Sequence, residues 1–266
     1  MSVYVSQLYT YPVKSLTGIS SDKISIDEFG PIWDRRIMVV DQNGKFLTQR
    51  QLIQMSQVAT KFEDETLMLS FKEQNITIQL SELPMLDKEI AVSVWNDEVL
   101  AVELPASINS WMSDVLEKQV KLCFIKQDTH RQVDLNFAKK GDRTGFSDGF
   151  PFLILSEASL EFLSDDIGYP LAAERFRPNI VVAGCDAFEE DTWSSIEING
   201  ILFDIVKPCS RCVIPTINPK TAIKEPQVMQ VLLKHRKLDK QVYLGQNAIH
   251  QSFGSIEVGQ IVKILK

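Results

Sequence analysis

Short runs of alternating apolar and polar side chains fill the first hundred residues, and turn-forming residues separate these runs. The alternation is clear over residues 3–8, 36–40, 76–80 and 89–95. A period of two is typical of strands with one face buried and the other in solvent. Asn43-Gly44 follows one such run, and this pair favours the positive φ angles of a tight hairpin turn. The pattern predicts a β domain built from short, mostly antiparallel strands.

Helical periodicity interrupts this pattern between residues 105 and 118. Ile108, Trp111, Met112 and Val115 fall on one face of a helix there. We take this helix as the boundary between two domains, residues 1–118 and residues 119–266.

Strand signals return in the second half of the chain. They predict strands over 120–125, 150–155, 179–183, 195–198, 201–205 and 254–265, with a hairpin at Asn199-Gly200. Short helices are predicted over 157–163, with Ser156 as N-cap, and over 227–235. The polar stretch 126–147 lacks periodicity, which indicates a functional or mobile loop. The chain is expected to be mainly β with a few helices, as two packed β-barrel-like domains.

The charge of the chain limits its partners. A formal net charge of -7 and a pI near 5.1 argue against nucleic acid or an anionic membrane as partner, so any anionic ligand must meet a local basic pocket. There is no apolar leader and no apolar segment long enough for a membrane span, so we expect a cytoplasmic protein. No G-x-G-x-x-G or P-loop sequence occurs, which weakens a nicotinamide or NTP function.

A Cys-x-x-Cys pair is the most reactive motif in the sequence. Cys209 and Cys212 follow a predicted strand and lie beside Lys207 and Arg211. Nearby cations favour the thiolate, which is both a nucleophile and a metal ligand.

Several functions are compatible with this pair. The two cysteines could be small buried residues at a strand end, without chemistry. A structural zinc site would need further ligands, and the sequence offers no second cysteine or histidine pair at ligand spacing. A thioredoxin-type dithiol expects a helix after the pair, whereas Pro215 and Pro219 follow here. The remaining possibility is one thiolate that binds a soft metal carried by an anionic organic ligand.

Seven motifs along the chain resemble those of one family. They are Tyr11-Pro-Val-Lys-Ser15, Asp34-Arg35, Thr48-Gln-Arg50, Phe146-Ser-Asp148, Arg175-Phe-Arg-Pro-Asn-Ile180, Glu190-Asp-Thr-Trp193 and Cys209-Ser-Arg-Cys212. Their order and spacing are similar to those of proteins in which a MOSC domain follows an N-terminal β-barrel domain. This family includes the mitochondrial amidoxime-reducing component and its bacterial relatives.

The resemblance implies a molybdenum cofactor bound by particular residues. Cys212 would be the metal ligand, with Cys209 as a neighbour. Asp186 would be a second catalytic candidate near the metal, as a proton donor or substrate contact, although it could equally cap a loop. The residues that would bind the cofactor's phosphate and pterin are Lys14, Ser15, Arg35, Ser147, Arg177, Asn179, Ser210 and Arg211.

The function implied by this resemblance is the reduction of N-hydroxylated or N-oxide compounds by oxygen-atom transfer. Some bacterial relatives carry a further iron–sulfur domain, whereas this sequence ends at Lys266. Electrons are therefore expected from a separate flavoprotein or iron–sulfur protein. The alternative is a non-catalytic module that carries the cofactor or handles sulfur.

Overall fold

The computed structural model describes residues 2–266 and is mainly β, as predicted. The first half contains β1 (Tyr4–Thr10), β2 (Ile19–Ser21), β3 (Lys23–Asp27), β4 (Gly30–Pro31), β5 (Ile37–Val40), β6 (Ala59–Glu63), β7 (Thr66–Phe71), β8 (Gln74–Gln79), β9 (Glu89–Val94), β10 (Asp97–Glu103), α1 (Ala106–Leu116) and β11 (Lys121–Phe124).

The second half contains most of one large sheet and two further helices. Its elements are β12 (Phe152–Ser156), α2 (Glu157–Ile167), β13 (Ile180–Ala183), β14 (Ser195–Ile198), β15 (Ile201–Ser210), α3 (Pro226–Arg236), β16 (Lys237–Leu238), β17 (Gln241–His250), β18 (Gly254–Glu257) and β19 (Val262–Ile264). Short 3-10 helices lie at Ile53–Gln57, Leu80–Met85, Ala173–Arg175, Glu189–Thr192 and Ile214–Thr216. No helix within residues 2–266 is both long and apolar enough to cross a bilayer.

The large sheet has the strand order β19-β14-β15-β17-β12-β13-β1-β2, with β16 added beside β17. Its pairs are antiparallel except β12 and β13, which run parallel and are joined through α2. Ser156 caps α2 as predicted, because its side chain accepts the N–H of Ser159. One face of the sheet packs on α2 and α3 through Leu160, Leu163 and Leu232.

The first half of the chain has its own apolar core. Strands β5, β11, β10 and β9 form one sheet, and β6, β7 and β8 form another. Helix α1 closes this core with Ile108, Met112 and Val115 buried and Trp111 packed against them. This confirms the predicted helix and its apolar face.

Each half of the chain contributes strands to the sheets of the other half. Strand β1 pairs with β13 of the large sheet, and β3 pairs with β18 near the C-terminus. In return, β11, which follows the predicted boundary at residue 118, pairs with β5 and β10. The halves are therefore joined by backbone hydrogen bonds as well as by side chains.

Turn residues explain why one predicted hairpin is confirmed and why one predicted strand is wrong. Asn199 and Gly200 take φ angles of 51° and 78° between β14 and β15, as a tight hairpin requires. The prediction of one strand over 254–265 is wrong. Gly259 has a φ of 88° and separates β18, which pairs with β3, from β19, which pairs with β14.

The polar stretch 126–147 contains no helix or named strand, but it is tied to the body of the protein. Arg131 is only 5% exposed. Its Nη1 donates to the carbonyls of Gly145 and Ser147, both at 2.7 Å, while its Nε donates to Asp97 at 2.8 Å. Arg131 therefore fixes the backbone that leads into the cleft described next.

Candidate functional site

A cleft between the two halves of the chain brings together all nine residues predicted to bind the cofactor or metal. Its empty volume is about 850 Å³ when the open mouth is included. The nine are Lys14, Ser15, Arg35, Ser147, Arg177, Asn179, Ser210, Arg211 and Cys212.

The cleft is strongly cationic in an acidic protein. Its lining holds six cationic side chains, namely Lys14, Arg35, Arg50, Arg175, Arg177 and Arg211. Asp148 is the one carboxylate in the same lining. Against a net charge of -7 for the chain, this clustering provides the local basic pocket that an anionic ligand needs.

The two cysteines of the Cys-x-x-Cys motif differ in their surroundings. Both line the cleft just where β15 ends, and both are free thiols. Cys212 is exposed, and its Sγ accepts the backbone N–H of Ile214 at 3.5 Å. Cys209 is half-buried, and burial raises the pKa of its thiol despite the nearby Arg211. Cys212 is therefore the more accessible ligand of the pair.

Neither a zinc site nor a thioredoxin-like dithiol is supported by the geometry. Within residues 2–266, no three His, Cys, Asp or Glu side chains come together in a way that could hold a metal ion. The residues after Cys212 form a 3-10 turn at Ile214–Thr216 rather than an α-helix. A metal bound at Cys212 would need further ligands that arrive with it.

The asymmetry between the cysteines predicts an order of alkylation. At pH 8, iodoacetamide should label Cys212 before the other three cysteines, because only that thiol is exposed. Burial raises the pKa of Cys185 to about 11 and holds the pKa of Cys123 still higher, so both should react slowly. Peptide mass spectrometry after timed quenching gives the four rates. Faster labelling of Cys209 than of Cys212 would contradict this assignment.

Lys14 and Asp148 form an ion pair at one wall of the cleft. Lys14 is 5% exposed, and its Nζ donates to the Phe146 carbonyl at 2.8 Å and to Asp148 Oδ1 at 2.6 Å. Burial lowers the pKa of Lys14, and Asp148 opposes that shift. The charge and hydrogen bond of Lys14, with a bond from Trp95, hold the pKa of the solvent-exposed Asp148 well below its usual range. One of the three ammonium donors of Lys14 stays available to a ligand.

The side-chain amide of Asn179 makes all of its hydrogen bonds with protein atoms. Its Oδ1 accepts Arg35 Nη1 and the N–H of Leu153, both at 3.2 Å. Its Nδ2 donates to the Tyr9 carbonyl at 3.2 Å and to Asp34 Oδ1 at 3.0 Å. Two donors and two acceptors are all that an amide side chain has. Asn179 therefore orients Arg35 rather than offering a free polar atom to a ligand.

In contrast to Asn179, Arg177 has a side-chain donor without a hydrogen-bond partner in the described chain. Its Nη1 donates to the Leu16 carbonyl at 2.6 Å, but its Nη2 is buried and has no hydrogen-bond partner in the described chain. Burial, with the like charge of Arg35, lowers the pKa of Arg177 to about 10, so the guanidinium remains charged at neutral pH. A cationic donor without a protein partner in this cleft is suited to bind an acceptor atom of a ligand.

Three cleft residues have unusual backbone geometry. Ser15, Arg35 and Arg177 have φ angles of 68°, 47° and 56°. Such left-handed conformations cost energy in residues other than glycine, and nine further non-glycine residues outside the cleft also adopt positive φ angles within residues 2–266.

Arg211 fixes the segment that carries Cys212. Its Nε and Nη2 donate to the Leu244 carbonyl at 2.9 and 2.6 Å, and its Nη1 donates to the Phe176 carbonyl at 2.9 Å. Ser210 is exposed, and its backbone pairs with Tyr243 of β17. These bonds tie the end of β15 to the sheet, so the thiol of Cys212 is held at the mouth of the cleft.

Comparison with known proteins identifies the two halves of the chain. Residues 2–119 match the model of the MOSC N-terminal beta barrel domain, and residues 141–263 match that of the MOSC domain. Mitochondrial amidoxime-reducing component 1 from Mus musculus is 30% identical over 98% of this chain and 82% of its own length. The chain belongs to the MOSC family.

Further relatives give the same result. The human component 1 is 30% identical with the same coverage, and Mitochondrial amidoxime reducing component 2 from Bos taurus is 29% identical over 97% of this chain and 82% of its own. Among solved structures, the YUAD protein from Bacillus subtilis aligns with 98% of this chain and 94% of that one, at 12% identity and a TM-score of 0.45. That similarity is too low to support an inference about the site of this MOSC protein.

Asp186 is the predicted site residue that the fold does not bring to the MOSC cleft. It is exposed in the loop after β13, whereas Asn179 directly precedes that strand. The length of β13 separates the two positions by more than about 10 Å. The backbone N–H of Asp186 donates to Glu189 Oε2 at 2.8 Å, which is a local loop contact. We therefore do not carry the predicted catalytic role of Asp186 into the proposed function.

Several cleft residues of this MOSC protein were missed as site candidates. Thr48, Gln49, Arg50 and Arg175 line the cleft together with Asp148. All five stand inside motifs that resemble the family, so the signal for them was present in the sequence. Arg175 is partly used by an ion pair with Glu225, whereas the Arg50 guanidinium lies over the Trp95 ring at 4.7 Å.

Proposed function

We propose that this MOSC protein holds a molybdenum cofactor through the thiolate of Cys212 and reduces N-hydroxylated or N-oxide compounds. The observation that carries the proposal is an exposed thiol in a cleft whose lining has six cations and one carboxylate. The names of the relatives add the substrate class, because they are called amidoxime-reducing components.

The residues of the cleft fit such a cofactor in charge and in ligand type. A thiolate is a ligand suited to a soft metal site, and the chain offers no competing cluster of ligands within residues 2–266. The cofactor's phosphate needs cationic donors, and Lys14 and Arg177 each have a donor to spare. The remaining ligands of the metal would arrive with the cofactor, because no cluster of side chains within residues 2–266 could supply them.

Each residue then has a defined task. When bound, the cofactor supplies the oxygen-atom transfer. Cys212 Sγ would hold the metal, and the N–H of Ile214 bonds to that sulfur and orients it. Arg211 anchors the Cys212 segment to β17, and Asn179 with Asp34 orients Arg35 toward the cleft. Electrons are supplied by a separate protein.

Turnover with an artificial electron donor tests the proposal. Protein from a cofactor-replete host should reduce benzamidoxime to benzamidine with dithionite-reduced methyl viologen, and chromatography measures the product. The Cys212→Ala variant should be inactive, while Cys209→Ala should retain most of the activity. Cofactor binding without turnover would overturn the enzyme assignment in favour of a carrier.

A further inference from the structure

We infer that Tyr11 is a positioning residue whose ring holds the guanidinium of Arg177 in place, so that Arg177 Nη2 faces an acceptor oxygen of the bound cofactor. The inference rests on the proposed function and deepens it, because it concerns the same cleft. Tyr11 itself is fully buried and does not line the cleft, so it acts only through its neighbours.

Two guanidinium groups lie over the same aromatic ring. The Cζ of Arg177 is 4.2 Å from the centroid of the Tyr11 ring, and the Cζ of Arg35 is 4.3 Å from it. Both distances are well inside the roughly 6 Å range of cation–π attraction, which is strongest where water is excluded. The ring therefore stabilises two like charges that would otherwise repel each other.

Arg177 depends on this ring more than Arg35 does. Arg35 has a carboxylate partner in Asp34 and further bonds to Asn179 and to the Arg177 carbonyl. Within residues 2–266, no carboxylate lies within ion-pair distance of Arg177. Its side chain has only the Leu16 carbonyl as a hydrogen-bond acceptor. The Tyr11 ring is thus a main contact that fixes the plane of this charge.

The backbone at Gly18 locks the ring of Tyr11. A Cβ at Gly18 would lie 2.4 Å from Tyr11 Cε1, so only glycine leaves room for the ring in this position. The ring cannot move toward Gly18, and the two guanidinium groups cover it elsewhere. Its position is therefore set before any ligand binds.

The hydroxyl group of Tyr11 is not what holds it. Its Oη is buried without a hydrogen-bond partner in the described part of the chain, and burial raises the pKa of the hydroxyl far above its ordinary value. A buried tyrosine hydroxyl normally has a partner. The contacts of Tyr11 with Arg177 and Arg35 are made by its aromatic ring, and we assign the positioning role to the ring on that ground.

Two substitutions separate the ring from the hydroxyl. Tyr11→Phe keeps the aromatic face and should leave the pterin and molybdenum content of the purified protein unchanged. Tyr11→Leu removes the face and should lower that content about tenfold. Fluorescence of the oxidised pterin and metal analysis measure the two contents, and thermal unfolding of the same samples monitors the fold.

A double variant distinguishes positioning from general destabilisation. If Tyr11 acts through Arg177, Tyr11→Leu should lower pterin content in the wild-type background but add little to Arg177→Ala. Equal pterin in wild type and Tyr11→Leu, or fully additive losses, would overturn the inference. Absence of pterin from the wild type would overturn the proposed function, and this inference with it.

Discussion

Replacing Cys212 with alanine is expected to remove molybdenum from the purified protein, with a loss of more than about tenfold. The reason is that Cys212 is the accessible thiol of the cleft, and residues 2–266 contain no cluster of side chains that could hold the metal instead. Metal analysis of protein from a cofactor-replete host measures the molybdenum-to-protein ratio.

Cys209→Ala is the matched control for this experiment. It removes the same thiol group at a position three residues earlier, near the end of β15. Burial raises the pKa of the Cys209 thiol, which favours its protonated form. Its molybdenum ratio should stay near that of the wild type. The free energy of unfolding of Cys212→Ala should lie within about 0.5 kcal/mol of the wild-type value, because the Cys212 side chain is exposed. Equal molybdenum in both variants, or loss only in Cys209→Ala, would refute the assignment of Cys212.

The second large effect is expected at Asp34, which lies beneath the cleft. Asp34→Ala should lower the free energy of unfolding by about 3–5 kcal/mol, because it leaves the charge of Arg35 without its partner. The substitution also leaves the N–H of Tyr11 and one amide N–H of Asn179 without an acceptor. Urea denaturation monitored by circular dichroism measures the change.

Two comparison variants test the reason for this loss of stability. Burial raises the pKa of Asp34 even against the charge of Arg35, so the buried charge is held at a cost. Asp34→Asn gives up that charge but keeps an acceptor oxygen, and it should destabilise less than Asp34→Ala. Asp128→Ala removes an exposed carboxylate from a turn and should change stability by less than about 0.5 kcal/mol. A loss at Asp34→Ala no greater than at Asp128→Ala would contradict the role of this ion pair.

The ordered motifs of the sequence predicted residues that line one cleft, but not the contacts that each of them makes there. Asn179 was expected to contact a cofactor, whereas its four hydrogen bonds all go to protein atoms. Such saturation depends on Tyr9 and Asp34, which are more than 140 residues away along the chain. The resemblance to the family distinguished Cys212 from Cys209, but the different burial of the two thiols was not visible in their spacing.

Local periodicity predicted strands and helices but not their partners. The apolar face of α1 and the hairpin at Asn199-Gly200 depend on neighbours in sequence, so pattern alone was enough. The pairing of β1 with β13 joins residues about 175 positions apart. An alternation of apolar and polar side chains indicates that a strand has one buried face, but it does not indicate which sheet the strand joins.

The exchange of β1 and β11 between the halves has a consequence for how the protein can be taken apart. A fragment that begins at residue 141 would lose β1 and β2, and β13 would become an unpaired edge strand of the large sheet. Open edges of this kind recruit other chains and aggregate. The two halves should therefore unfold in one cooperative transition, and neither should be obtainable as an independent, well-behaved fragment.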